Sequence, residues 1–285
     1  MKIFYHNDAD GKCAANVIVR ALGHTYTDDK DKYIEMDYER EFPFDIIKKD
    51  EPVYILDYSI QPDEMARLLG ITKDVVWVDH HKTAIAKYDE SSIDVDKIDG
   101  IRRDGTAGCE LTHEYLVGGE VPEAIKYIGD RDTWTWKYKP LTEYFFSGSE
   151  IFELHPLSTD WDILINEPEE VLKNGRVIMS YKAQHNKTYL NAFGYVAEFE
   201  GYLADVINVG QVDSKIFDSL RLKNRLQIMY VSIGYSYKVS LRSESIDVSE
   251  LALRYGGGGH AGAAGLQVDH IPWTYVKPIE QSRKG

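Results

Sequence analysis

KIFYHNDADG, residues 2–11, decides the fold: five residues read as a strand, an acid-rich turn follows, and a helix rich in Ala, Val and Ile runs from Cys13 to Leu22. The same grammar recurs at VYILD, residues 53–57, and at VVWVDHH, residues 75–81. Both are short apolar runs suited to burial on two faces, and both end in Asp. Between them Asp63 to Leu69 has the spacing of a helix. Strands alternating with helices imply right-handed crossovers and a parallel sheet covered on both sides. Helices are further expected over Glu110 to Leu116 and Glu123 to Ile128, with a loop-rich stretch bearing Trp134, Trp136, Tyr138 and Tyr144 after them.

Downstream the pattern changes. Glu167 to Asn191 reads as one long polar helix, and strands are expected over 195–209, 226–236 and 237–243. Val248, Leu251, Ala252 and Tyr255 then fall at helical spacing behind Asp247 and Glu250, and four glycines mark the end. The expectation is an α/β chain: a parallel-sheet domain with flanking helices over 1–165, a helical connector over 166–192, and a smaller mixed α/β domain over 193–285.

Composition narrows the class. With 285 residues, 43% hydrophobic and 28% charged, the chain has material for a sizeable core and is neither disordered nor fibrous. No run reaches the length of a membrane span, and the acids at Asp8 and Asp10 interrupt any signal peptide, so a cytoplasmic protein without membrane partners is expected. Cys13 and Cys109 are expected to be reduced, Cys13 as a small buried apolar residue. A net charge of −14 lacks the cationic field that grips long duplex nucleic acid.

In an open parallel sheet, ligands bind beyond the carboxyl ends of the strands. Asp8 and Asp10 follow the first strand, Asp57 ends the second, Asp79-His80-His81 ends the third, and Asp130 and Asp132 follow another apolar run. Any one of these acids alone reads as a turn or cap residue. Four segments aimed at one sheet edge read as a metal centre. Carboxylates with imidazole and no thiolate suit Mn²⁺, with Mg²⁺, Co²⁺ or Zn²⁺ as alternatives. So many ligands exceed the needs of one ion and suit two, roughly 3.5–4 Å apart, with Asp57 as the candidate bridge.

HNDADG, VYILD, VVWVDHH, GDRD, SLRS and GGGGHAGAAG, in this order from His6 to Gly265, resemble the DHH phosphoesterase superfamily, in the branch that carries a DHHA1 substrate-binding domain. DHHKTA and GTAGCELTHEYL further resemble its nanoRNase B-type oligoribonucleases and cyclic-nucleotide phosphodiesterases. The resemblance implies a binuclear Mn²⁺ site. Asp8, with His6 beside it, would hold one ion and Asp10 the other; Asp57 and Asp130 would contact both; His80 would ligate the second; and His81 would face the scissile phosphate. Asp79 would orient a histidine from behind. In the second domain, Arg242, Gly257, Gly258, Gly259 and His260 would hold the substrate's phosphate, glycine backbone approaching where side chains would obstruct.

The expected activity is hydrolysis of short oligoribonucleotides or small nucleotides. Cyclic dinucleotides and pAp are alternative substrates, and a non-catalytic nucleotide sensor, or a homodimer of the enzyme, is compatible with the same sequence. A pyrophosphatase would want a more basic second domain, and a RecJ-like exonuclease more chain and a basic groove. Arg102 and Arg103 read as an exposed basic pair. Trp134 and Trp136 read either as packing residues, the ordinary case, or as a base-stacking pair.

Overall fold

The first sheet has four parallel strands in the computed structural model, which describes residues 1–89, 91–210, 214–217, 220 and 225–279. β1 (Lys2–His6) has β2 (Tyr33–Met36) on one side and β3 (Val53–Leu56) on the other, and β4 (Val75–Val78) pairs beyond β3. After β1 the chain forms α1 (Ala9–Leu22) and the single turn α2 (Tyr26–Asp29) before entering β2; α3 (Pro62–Ile71) joins β3 to β4. The two crossovers therefore leave the centre of the sheet in opposite directions. As right-handed crossovers require, α1 and α3 pack on opposite faces. Cys13, Ala14 and Ile18 of α1 bury with Ile3, Tyr5, Leu56 and Val78, whereas Met65 and Leu68 of α3 bury with Phe4, Ile55 and Trp77.

Short α4 (Lys82–Ala86) follows the histidine pair. The α1 face is then completed by α5 (Gly108–Leu116), α6 (Glu123–Asp132), α7 (Leu141–Ser149) and α8 (Asp160–Asn166). The loop-rich stretch expected after Trp134 is thus brief. It gives way to α7, whose Phe145 is buried against Tyr127. Strand β2 also escapes the sequence pattern, because only Tyr33 and Met36 of its four residues are buried.

Helix α9 (Pro168–Phe193) runs for 26 residues, and the chain divides into two compact units within it, between Ile178 and Met179. Val171 and Leu172 belong to the first unit's core and Leu190 to the second's. The second unit contains β5 (Tyr195–Phe199), β6 (Tyr202–Asn208), β7 (Leu226–Ile233), β8 (Ser236–Arg242), α10 (Val248–Leu253), β9 (Gly258–His260), β10 (Ala263–Val268) and β11 (Thr274–Pro278). Its seven-stranded sheet runs β11-β5-β6-β7-β8-β10-β9, antiparallel except between β6 and β7. Helix α10, capped by Asp247 on the Ser249 N–H, covers one face with Val248, Leu251 and Ala252. The glycine run divides: Gly256, at φ +73°, turns the chain out of the helix, and Gly258 and Gly259 enter the edge strand β9. No helix among the described residues is long and apolar enough to cross a membrane.

Candidate metal centre

The sheet order reverses between β1 and β3, so their carboxyl ends open a crevice there. Asp8 is the N-cap of α1 and accepts the Gly11 N–H at 2.9 Å. Asp10 is buried in the first turn of that helix and reaches across to the start of α5, where the N–H groups of Gly108 and Cys109 donate to it at 2.7 and 2.8 Å. A helix N-terminus favours that negative charge. Asp57 leaves β3 with φ +51°, a left-handed conformation that Asp tolerates at a modest cost in strain. Gly108 makes room for it: a Cβ there would lie 2.6 Å from the Asp57 Cβ.

These segments build two overlapping clusters, and Asp57, His80 and His81 form a third grouping of close ligand atoms. His6 Nδ1 lies 2.8 Å from Asp8 Oδ2 and 3.7 Å from Asp57 Oδ2. His80 Nε2 lies 3.1 Å from Asp57 Oδ1, 3.2 Å from Asp132 Oδ2 and 3.7 Å from Asp10 Oδ2. Asp57 thus gives one oxygen to each group. Both of its oxygens, with His6 Nδ1 and His80 Nε2, are buried without a hydrogen bond. Orphaned buried acceptors are costly unless something else satisfies them. His6, Asp8 and Asp57 on one side, and Asp10, His80 and Asp132 on the other, each present ligand atoms within 4.8 Å of one another. Oxygen and imidazole donors so converged fit divalent cations of the Mn²⁺, Mg²⁺ or Co²⁺ kind.

The electrostatics agree. Burial pushes Asp57 up to about 7, with the Asp8 carboxylate adding to the rise and His6 opposing it. Burial likewise drives Asp10 well above the usual carboxylate range, aided by Asp57 and Asp132. Asp132 rises for the same first reason, against the pull of His80. Burial disfavours the imidazolium of His6, yet Asp57 and Asp8 outweigh it and hold this histidine near 10. Without cations, then, the centre must keep protons on groups that a bound ion would strip.

Asp79 sits behind the cluster, wholly buried. It accepts from Ser59 Oγ, from the backbone N–H groups of His80 and His81 at 2.8 and 3.2 Å, and from His81 Nδ1 at 2.7 Å. That contact raises His81 to about 9 and leaves Nε2 to point elsewhere. His81 Nδ1 is 3.9 Å from Asp57 Oδ1, and the side chain remains one-third exposed.

One expected ligand is displaced. Asp130 does not enter the cluster: its carboxylate accepts from Thr135 Oγ1 at 2.6 Å, the Lys137 N–H at 2.6 Å, the Tyr138 N–H at 3.2 Å and Thr142 Oγ1. Those bonds hold it below the usual carboxylate range despite burial. Asp132, two residues further along α6, takes the place beside His80. The motif GDRD supplied both acids, but residues two apart on a helix point about 200° apart by 3.6-residue geometry, and only packing decides which faces the crevice. Elsewhere Arg102 donates to the carbonyls of Trp77, Asp99 and Val95, and Arg103 pairs with Glu114, so neither lies in the cluster. Cys13 and Cys109 are free and buried.

In the second unit the register sets His260 opposite Ala263, and Ala263 opposite Arg242. Opposed residues share a face, so Arg242 and His260 stand in one row, with Gly258 and Gly259 paired to Gly265 and Ala264. His260 is exposed, and the half-buried Arg242 donates from Nη1 to the Leu241 carbonyl at 3.0 Å.

Comparison with known proteins gives a DHHA1 domain match over residues 202–274. Oligoribonuclease NrnB of Bacillus subtilis is 26% identical over 301 aligned positions, covering 93% of this chain and 72% of NrnB. The uncharacterized protein R106 of Acanthamoeba polyphaga mimivirus is 25% identical over 264, covering 85% of this chain but only 60% of its own length. Among solved structures, the pGpG-specific phosphodiesterase PggH of Vibrio cholerae shares the fold with a TM-score of 0.51 at 11% identity, over 94% of this chain and 92% of PggH. A parallel sheet bearing the acid and histidine motifs, followed by a DHHA1 domain, fits the DHH/DHHA1 superfamily, which the chain resembles along most of its length.

Proposed function

We propose that this chain is a Mn²⁺-dependent phosphodiesterase acting on short oligoribonucleotides or small nucleotides, in the manner of the oligoribonuclease it resembles. The observation that carries the reading is Asp57, a buried carboxylate with two unsatisfied oxygens directed to two different clusters. His6, Asp8 and Asp57 would hold one cation, and Asp10, Asp57, His80 and Asp132 the other. When bound, such a pair of cations supplies Lewis acidity toward the phosphoryl oxygens and an activated water.

The chain's own residues do the rest. Asp79 fixes the orientation of His81 through Nδ1 and favours its protonated form, and Nε2–H would then be a donor for a phosphoryl oxygen on which charge grows. Asp10 and Asp57 are held by α5 and by the turn after β3, which spares the site reorganisation during the reaction. On the second unit, Arg242 and His260 would hold a substrate phosphate, with Gly257, Gly258 and Gly259 allowing close backbone approach. The acid excess of the chain disfavours long duplexes.

The test is a Mn²⁺-supplemented hydrolysis panel of RNA 2- to 5-mers, a 24-mer, pAp, linear and cyclic dinucleotides and pyrophosphate, with EDTA and Asp57→Asn controls. Release of mononucleotides from the short RNAs is expected. Turnover of pyrophosphate alone, or undiminished activity of Asp57→Asn, would overturn the reading.

A further inference from the structure

Beside the carboxylates the first unit holds a cavity of about 680 Å³, within the range of about 300–1,000 Å³ typical of small-molecule sites. Its lining includes the carboxylates Asp8, Asp10 and Asp132 and the aromatic residues Trp134, Phe146 and Phe152. We propose that this cavity is a nucleobase subsite, in which Trp134 stacks a guanine whose nucleotide phosphate lies at the acid–histidine cluster. The proposal rests on the phosphodiesterase reading above and adds to it the base that the site selects.

Trp134 is 75% exposed, the reverse of a packing residue. Trp136 meets it edge-on, with ring centres 5.3 Å apart at 75°, and so does not cover its face. The exposure is built in. Trp134 has φ +55°, its N–H donates to the Arg131 carbonyl at 3.1 Å, and the carbonyl and carboxylate of Asp130 tie down Thr135 and Lys137 on either side of Trp136. The acid expected to bind metal is instead the anchor of the loop that presents this ring.

The occupant follows from the lining. Aromatic rings in the lining favour a flat, neutral partner with a π-face. Arg131 supplies selectivity. Its guanidinium lies over the Phe146 ring, 4.0 Å from the centroid, and it forms no ion pair among the described residues. Stacking occupies the face of a guanidinium and leaves its in-plane N–H groups for an edge-on acceptor pair. Guanine offers such a pair in O6 and N7, whereas adenine sets a donor beside N7 and cytosine has no N7.

Calorimetric titration of the full chain with 5′-GMP, 5′-AMP, 5′-CMP and ribose 5-phosphate, in Mn²⁺, tests this. GMP is expected to bind more tightly than the other three. Trp134→Ala is expected to weaken GMP by about 5- to 150-fold, the span that a stacked base is worth. Trp134→Phe should retain most of the binding, and neither variant should alter ribose 5-phosphate. Arg131→Ala should narrow the preference for GMP over AMP and CMP. In turnover of a 5′-phosphorylated guanosine dinucleotide, the Trp134→Ala effect should fall on KM with kcat little changed. Equal affinity for GMP and ribose 5-phosphate, or unchanged GMP binding by Trp134→Ala, would overturn the subsite, and AMP binding as tightly as GMP would overturn the guanine assignment. Failure of the wild-type chain to hydrolyse any phosphodiester would strike the catalytic reading instead, and the GMP titration would still decide the subsite.

Discussion

The two sheets of this protein are built for different work. In the first, every strand runs the same way, so every strand end that carries an acid arrives at one edge, and the cost of crowding them is visible as four orphaned polar atoms on His6, Asp57 and His80. In the second, strands mostly alternate in direction, side chains are displayed in rows, and Arg242 satisfies a donor on its neighbour's carbonyl. The parallel sheet gathers its unsatisfied groups at one edge, whereas in the second sheet the buried orphan Asp205 Oδ2 belongs to a carboxylate already paired with Arg225. The contrast predicts that substitutions in the first region damage function while sparing stability, and that those in the second do little to either until substrate is present.

The largest effect is expected at Asp57. Asn keeps the shape and tolerates φ +51°, but shares no negative charge between the clusters. Turnover should fall at least about 10⁴-fold, the scale on which members of one catalytic unit fail. Urea denaturation of the metal-free protein should show a loss of no more than about 1 kcal/mol, since the carboxylate it removes has no hydrogen bond. A large loss of stability would show that Asp57 serves the fold, and the contrast between the sheets would break. Mn²⁺ itself comes next: at 100 times its Kd it should stabilise the wild-type chain by about 2.7 kcal/mol in a thermal scan, and Asp57→Asn by far less.

Asp130 sharpens the comparison from inside the first unit, because it stands on the same helix as Asp132 yet is fully bonded. Asp130→Asn should cost about 1–3 kcal/mol, since charge-assisted bonds are lost and the amide NH₂, in place of either oxygen, faces the backbone N–H of Lys137 or of Tyr138. The pH dependence has a definite sign. An unfolded Asp titrates near about 3.9, and the folded pKa of Asp130 is lower. Its contribution is therefore complete above the unfolded value and disappears as pH falls through the folded one. The difference between wild type and Asp130→Asn, measured by denaturation from pH 7 to 3, should shrink only below about pH 4. A gap that persists at the lowest pH would assign the effect to shape and not to charge.

Much of this site was legible because strand ends announce themselves. Asp8, Asp10, Asp57 and the His80-His81 pair each follow an apolar run, and parallel topology leaves them one place to meet. Asp132 was not legible in the same way. It lies on a helix beside an equally acidic neighbour, and the choice between them is made by Thr135, Thr142 and the backbone of Lys137 and Tyr138, contacts that no spacing rule contains. The exposure of Trp134 was hidden for a related reason: an alternating aromatic pair signals packing until a left-handed turn lifts one ring into solvent. In the second unit, the glycine run signalled a helix end correctly at Gly256. It concealed β9, since Gly-rich strands carry almost no periodic pattern.

The smallest expected change is in the stability of Arg242→Ala, and it carries information for that reason. Arg242 is half-buried, it donates to the Leu241 carbonyl one residue back, and it heads the row that continues through Ala263 to His260. Losing one such bond at a partly exposed site should move stability by about 0.5 kcal/mol or less. If the row exists to hold a phosphate, the same variant should raise KM by about tenfold with kcat nearly constant, the size of a lost charge-assisted hydrogen bond. His260→Ala should do the same, and the double variant should exceed either, because two donors in one row address a single anion. A destabilisation of several kcal/mol with unchanged KM would mean that Arg242 braces the sheet. The second region would then be, like Asp130 in the first, a place where charge is spent on the fold.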